Sequence, residues 1–187
     1  MAIQPWKTLA SKVAFEHHWY NLRQDCVELP DGQILDDYFV SLRPDLVVVF
    51  AATASNHVIF VKQFRQGVAH TTLELPTGFF HDEKALEAAQ RELLEETGYQ
   101  CSALSQIGCI ATDASRHNNY LYTFLGTEAH KVAEQSLDPT EKSAGVEVVL
   151  IPFSEVLPRV RSGEIFAMST VATIYRAFDE LHVQGFF

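Results

Sequence analysis

LELPTGFFHDEKALEAAQRELLEETGY, residues 73–99, changes period part-way along. TTLELP, from Thr71 to Pro76, reads as a short strand, and Gly78 sits in the loop that follows. From Glu83 or Lys84 to about Thr97 apolar residues recur at helical spacing, at Leu86, Ala89, Leu93 and Leu94, and Gly98 is placed to end the run in the left-handed conformation. The polar side of this helix carries the chemistry. Glu92 and Glu96 are four apart and Glu95 is three beyond Glu92, so three carboxylates share one edge. Like charges at that spacing repel unless something positive sits among them. Magnesium or manganese suits such a cluster, because hard cations take carboxylate, carbonyl and water oxygens and Mg²⁺ usually also binds phosphates. Arg91 is placed to neutralise part of the charge through a bidentate contact. On the helix alone, a merely solvated acidic face with weak surface pairs is an equal reading.

Outward from this stretch, the N-terminal side reads as strands. HHWYNLRQDCVEL alternates, PDGQ supplies a turn at Asp31 and Gly32, and ILDDYFVS resumes the alternation. LVVVFAAT and HVIFVKQF follow, joined by a polar turn at Ser55 and Asn56. On the C-terminal side ALSQIGCIAT and NYLYTFLGT are strands around the DASRHN loop, KVAEQSLDPTEKSAG is a flexible loop, and VEVVLIPF is a strand. FSEVLPRVRSGEI and STVATIYRAFDEL read as a short and a longer helix, the latter with Ser169 or Thr170 as N-cap. The expected fold is therefore α/β (α+β), with residues 1–44 as a small antiparallel β subdomain and 45–187 as the main domain.

Composition narrows the function. The chain has 187 residues, 47% hydrophobic, enough for a sizeable core. Acidic residues outnumber basic ones 24 to 14, which excludes a basic field for a nucleic-acid partner. The longest apolar runs are too short to span a membrane, and the start lacks a secretory apolar core, so a cytoplasmic protein is expected. Cys26, Cys101 and Cys109 have neither disulfide nor zinc spacing. No G-x-G-x-x-G or P-loop occurs, which argues against a dinucleotide oxidoreductase or a P-loop ATPase. The eight histidines fall in unrelated segments; only His81 lies near the acidic helix.

Gly78, Glu83, Arg91, Glu92, Leu93, Glu95, Glu96, Gly98 and Tyr99 resemble the signature of the Nudix hydrolase family, with one departure. Four residues, FFHD, separate Gly78 from Glu83 where the family has five. The resemblance implies a Nudix-type α/β/α sandwich with a mixed sheet, and Glu92, Glu95 and Glu96 as metal ligands joined by the Thr77 carbonyl. It also implies two or three Mg²⁺ ions, or Mn²⁺, and hydrolysis of a diphosphate linkage. LPDG at 29–32, VKQFRQG at 61–67, LELPTG at 73–78 and the late VEVVLIPFSEVLPRVRSGEI are similar to the ADP-ribose pyrophosphatase-like branch, whose members are homodimers acting on nucleoside diphosphate sugars. By that resemblance Arg65 contacts diphosphate or ribose, Glu74 lies near the terminal ribose, Gly78 lies near phosphate, and Arg43 and Arg116 are further arginine candidates. Trp19 or Tyr20 is a candidate to stack on the base, against the plainer reading of a half-buried strand aromatic. Glu141, with Glu147 as the alternative, corresponds to a loop glutamate near the attacking water. GDP-mannose or a dinucleotide is the alternative substrate, and a noncatalytic binding module the more distant reading.

Overall fold

The computed structural model describes residues 3–184, which form two compact units. The larger comprises Asp45–Ile110 and Leu121–Phe187. Its centre is β4 (Asp45–Thr53), flanked by β5 (His57–Arg65) on one side and, in parallel, by β10 (Tyr120–Lys131) on the other. β11 (Glu147–Pro152) runs antiparallel to β5, while β8 (Tyr99–Gln100) and β9 (Ala103–Ala111) pair with β10. One parallel pairing among antiparallel ones makes the sheet mixed.

Strand alternation sorts the core into two faces. Val47, Val49 and Ala51 of β4 pack with Ile59 of β5 against Ala88, Ala89 and Leu93 of α1 (Ala85–Thr97). Their neighbours Val48 and Phe50 pack with Val58 and Phe60 on the opposite face. That face is covered by Val156 of α3 (Phe153–Ser162) and by Ile174, Ala177 and Leu181 of α4 (Met168–Val183). Helices on both faces of a sheet buried on both sides give the three-layer sandwich, and explain why LVVVF is an unbroken apolar run. A helix of 13 residues is marginal in isolation, so α1 owes its stability to this packing.

β6 (His70–Glu74) and β7 (Thr77–Phe80) belong to one short run of sequence but have different partners. β6 pairs with β5, with Glu74 opposite Val61, whereas β7 pairs with β4, with Thr77 opposite Val48 and Gly78 opposite Val47. The exchange occurs at Leu75–Pro76, where proline has no N–H to offer a ladder and its carbonyl accepts from the Val49 N–H at 3.0 Å.

The smaller unit comprises Met1–Pro44 and Ala111–Tyr120. β1 (Lys7–His17), β2 (Tyr20–Glu28) and β3 (Ile34–Leu42) form an antiparallel sheet in that order. The segment 111–120 goes with this unit because the Ser41 N–H donates to the Arg116 carbonyl at 2.7 Å, the Arg43 N–H to Asn118 Oδ1 at 2.7 Å, and Asn119 Nδ2 to the Pro44 carbonyl at 2.7 Å.

Several expectations are corrected. HHWY is a turn between β1 and β2, so the strand expected from His17 is two strands meeting there. Gly78 lies in β7 rather than in a loop, because Gly78 pairs with Val47. The loop before β11 contains α2 (Pro139–Ala144), started by Asp138, whose side chain accepts the Thr140 and Glu141 N–H groups. α4 begins at Met168 without a side-chain cap; Thr170 is fully buried and its hydroxyl accepts the Leu75 N–H at 3.1 Å. Leu86, expected on the core face of α1, is 42% exposed, and Ala88 takes its place.

Gly98 closes α1 with φ at 76°, and its N–H returns to the Leu94 carbonyl at 2.8 Å. A Cβ here would lie 2.1 Å from the backbone oxygen of Ala133. Gly98→Ala therefore meets both left-handed strain and a backbone clash, and is expected to cost at least about 2 kcal/mol in urea unfolding. A midpoint equal to wild type would contradict this account of the cap.

Candidate active site

The carboxylates of α1 meet the crossover strand from below. The Thr77 N–H donates to Glu96 Oε2 at 2.9 Å, a donor placed by the start of β7 after Pro76. Glu92, one turn earlier, sets its carboxyl against Gly78, so closely that an added Cβ there would lie 1.8 Å from its carboxyl carbon. The Glu92 carboxyl thus lies where a side chain at position 78 would be, and would have to move aside for one.

Arg91 ties the exposed end of the cluster. Its Nη2 meets Glu83 Oε1 at 2.6 Å, and its Nη1 meets Glu92 Oε1 at 2.6 Å and Glu95 Oε2 at 3.1 Å. These acids hold the guanidinium even more firmly protonated than usual, with the Glu83 hydrogen bond the largest cause. Glu83 makes this contact despite the four-residue loop. Among the described residues no three acidic, imidazole or thiol groups converge on one point as a finished metal cage. The guanidinium instead gathers Glu83, Glu92 and Glu95.

Glu96 is 5% exposed, and burial pushes its carboxyl up to about 8, with Glu92 and Glu141 pushing the same way and the Thr77 N–H resisting. Burial likewise raises Glu92, and Glu95 and Glu141 add to it while Arg91 opposes. Two such carboxylates, kept ionised only at a cost, form a donor set that gains from a hard cation. The residues fit a divalent ion on that ground.

On the other side of Pro76, β5 and β6 present a second charged pair. Arg65 Nε and Nη2 grip Glu74 at 2.9 and 2.6 Å, and the buried Thr72 hydroxyl donates to Glu74 Oε1 at 2.6 Å. Burial works to raise the Glu74 carboxyl, but Arg65 and Thr72 hold it below the usual range. Arg65 remains half-exposed, with the rest of its five donors directed elsewhere than Glu74. The charges of Glu96 and Glu141 are felt at Arg65, which places the two pairs in one field.

Glu141 lies in α2, where its Oε2 accepts the Asp138 N–H at 2.8 Å in a reciprocal cap. Glu147 is exposed at the start of β11, 3.9 Å from Lys62. His81 is exposed. Trp19, Arg43 and Arg116 belong to the smaller unit: Trp19 is 77% exposed at the β1–β2 turn, and Arg116 lies 5.3 Å from the Tyr38 ring centre. Tyr20 bonds Ser41 Oγ at 2.6 Å. Two residues escaped the sequence reading. Thr72 shares a strand face with Glu74 at the i, i+2 spacing, a signal that was available. Gln135 gave no signal, being a polar residue in a polar loop; its amide donates to the Glu96 carbonyl at 2.7 Å.

Residues 42–167 match the NUDIX domain family, and residues 6–41 match the nucleoside diphosphate sugar hydrolase N-terminal domain. The chain is 32% identical over 170 residues to a Bacillus subtilis protein named ADP-ribose pyrophosphatase, covering 90% of each. It is 28% identical over 175 residues to the methanol dehydrogenase activator of Bacillus methanolicus, again with 90% of each covered. A crystal structure described as an ADP compounds hydrolase superposes with a TM-score of 0.86 at 17% identity, over 99% of this chain and 98% of that one, a likeness of fold.

Glu96 makes a prediction with opposite signs for stability and activity. Its folded value, about 8, lies above the ordinary 4.5, so the folded state holds the proton longer and stability falls as pH rises from 4.5 toward 8. Glu96→Gln keeps an acceptor for the Thr77 N–H and removes the charge. At pH 8 the metal-free variant should melt above wild type by about 3 °C, a gap that closes toward pH 5. Its turnover with a divalent cation should fall by about 100-fold or more. Calorimetric melting at both pH values reads the first part; a variant melting below wild type at pH 8 would remove the claim that ionised Glu96 is strained.

Proposed function

The chain belongs to the NUDIX family, and from that premise we propose that it hydrolyses the diphosphate linkage of ADP-ribose or a related nucleoside diphosphate sugar. The observation that carries the reading is the pairing of two charged groups across Pro76, a half-exposed Arg65 braced by Glu74 and a carboxylate pair, the half-buried Glu92 and the buried Glu96. The relative named ADP-ribose pyrophosphatase, aligned over 90% of each chain, supports the substrate class.

The chemistry is a pyrophosphohydrolase reaction. Nudix hydrolases generally use divalent metal ions, and we take the ion to be Mg²⁺, with Mn²⁺ as a substitute and two or three ions in all. Glu92, Glu95, Glu96 and the Thr77 carbonyl would hold them. When bound, such ions offset the charge of a diphosphate and lower the pKa of water. The free donors of Arg65 take diphosphate or ribose oxygens, and Glu74 keeps the guanidinium plane fixed. Gly78 lets the chain run close to phosphate. Glu141 accepts the proton of the attacking water as the water oxygen bonds to phosphorus and the bridging P–O bond breaks. For ADP-ribose the products are AMP and ribose 5-phosphate. Glu141 is favoured over Glu147 because its charge is felt by Glu92, Glu96 and Arg65, while Glu147 faces Lys62.

The smaller unit, residues 1–44 in this reading, serves assembly. β1 is a sheet edge whose every residue is exposed, Leu9, Val13 and Phe15 among them. An exposed apolar edge is a template for another strand, so we assign it to pairing with a second copy, from which Trp19 would reach a nucleobase, with Arg43 and Arg116 as further contacts. No described helix is long and apolar enough to cross a membrane. The three cysteines are free, as a cytoplasmic setting would keep them.

Turnover with Mg²⁺ should be measured on ADP-ribose, ADP-glucose, GDP-mannose, NADH and diadenosine polyphosphates, with phosphatase added to release phosphate from monophosphate products. The expected kcat/KM for ADP-ribose exceeds the others by about 10-fold or more. A preference for GDP-mannose or a dinucleotide would overturn the substrate assignment, and silence of folded, metal-loaded protein would favour a binding module. Arg65→Lys, which keeps the charge but loses the fork, should raise KM by about 10-fold. Light scattering should give a dimer for the wild type and a smaller mass for Val13→Glu; equal masses would exclude the β1 edge as the contact.

A further inference from the structure

We infer that Gln135 is a positioning residue that fixes the Glu141 segment to the carboxylate helix, an inference that rests on the proposed role of Glu141. An α-helix leaves its last carbonyls without partners inside the helix. At the end of α1 the Leu94 carbonyl is taken by the Gly98 N–H, and the Glu95 carbonyl by the Ser136 N–H at 2.8 Å. The Glu96 carbonyl accepts from the side-chain amide of Gln135 at 2.7 Å. The same amide nitrogen donates to the Val146 carbonyl at 3.3 Å. Just upstream, the Val132 and Ala133 N–H groups both reach the Gly98 carbonyl, at 2.8 and 3.1 Å.

Residues 135 and 146 are the two ends of the segment that holds α2 and Glu141. Gln135 therefore joins three things with one amide: its own position at the start of the segment, the carbonyl of Val146 at its end, and the backbone of Glu96. Val146 is buried, and Gln135 is half-buried. Between them α2 has no buried residue, and its hydrogen bonds run inside the segment, from Lys142 N to the Asp138 carbonyl and from Gly145 N to the Glu141 carbonyl. A short helix with its own cap and no buried side chain takes its place in space from its two stems. Closing those stems against the backbone of a carboxylate residue sets the position of Glu141 relative to Glu95 and Glu96.

The linkage also explains why a side chain is used at this point. A backbone N–H has one hydrogen and serves one carbonyl well, whereas an amide –NH₂ has two and can bridge carbonyls from different strands of the chain. Leucine at 135 keeps bulk and removes both donors. Asparagine keeps the donors but is one methylene short, and it serves as the milder variant if the leucine protein is poorly folded.

The test combines Gln135→Leu, Gln135→Asn, Glu141→Gln and the Gln135→Leu/Glu141→Gln double variant, each read on ADP-ribose with Mg²⁺ and by amide hydrogen exchange. In Gln135→Leu the expected kcat falls about 10-fold with KM within about twofold, because groups are misplaced rather than lost. Exchange across 136–146 speeds up about 10-fold while residues 85–93 of α1 keep their protection. The double variant is no slower than Glu141→Gln alone, since a residue acting through Glu141 has nothing further to lose, and Gln135→Asn falls between wild type and leucine. Unchanged exchange across 136–146, or multiplicative losses in the double variant, would overturn the inference. Full turnover in Glu141→Gln would instead overturn the proposed role of Glu141, with the exchange data still deciding whether Gln135 clamps the segment.

Discussion

Two carboxylates one helical turn apart, the half-buried Glu92 and the buried Glu96, lie on the same edge of α1 and repel each other, and the surroundings are arranged to hold them there. The helix presents them only because its other face is locked by Ala88, Ala89 and Leu93 against β4 and β5. Gly78 leaves room for one, the Thr77 N–H stabilises the other, and Arg91 binds the open side. Each contact is modest, and none cancels the cost of two desolvated charges. That residual cost is what makes the place attractive to a cation, and it is why stability and activity are expected to oppose each other here.

The sheet supplies the precision. β4 and β5 are buried on both faces, so a register slip would carry core residues to the wrong layer. Into this rigid pair the chain feeds β6 and β7, one to each strand, with Pro76 as the crossing point. Glu74 and Thr77 are thereby anchored to different strands although three residues apart in sequence. The carboxylate that braces Arg65 and the N–H that donates to Glu96 inherit their separation from the spacing of two central strands.

Much of this was legible in the sequence, and the reasons are specific. The acidic edge of α1 followed from three- and four-residue spacing, and the left-handed cap from Gly98. The three layers came from the family resemblance, and the structure supplies their local reason in LVVVF, a strand with no polar face to give to water. The failures are equally physical. Leu86 satisfied the apolar period yet lies outside, since α1 turns its alanines inward where the sheet comes close. The β1–β2 turn was hidden because histidine and tryptophan there resemble strand residues. The Gln135 contacts join places 39 and 11 residues apart through one amide, and no local period records a long-range bond.

The short stretch before α1 has a further consequence. Phe80 is still in register with Asp45, Glu83 already touches Arg91, and His81 and Asp82 between them are exposed. The missing residue has been taken out of a place where the chain has no ladder to keep and no core to fill. Length can drift there over evolutionary time without disturbing either flank, so this is where insertions and deletions among relatives should gather, and where a foreign peptide could be spliced in with least harm. A signature with a fixed count is thus firm at its two ends and elastic in between.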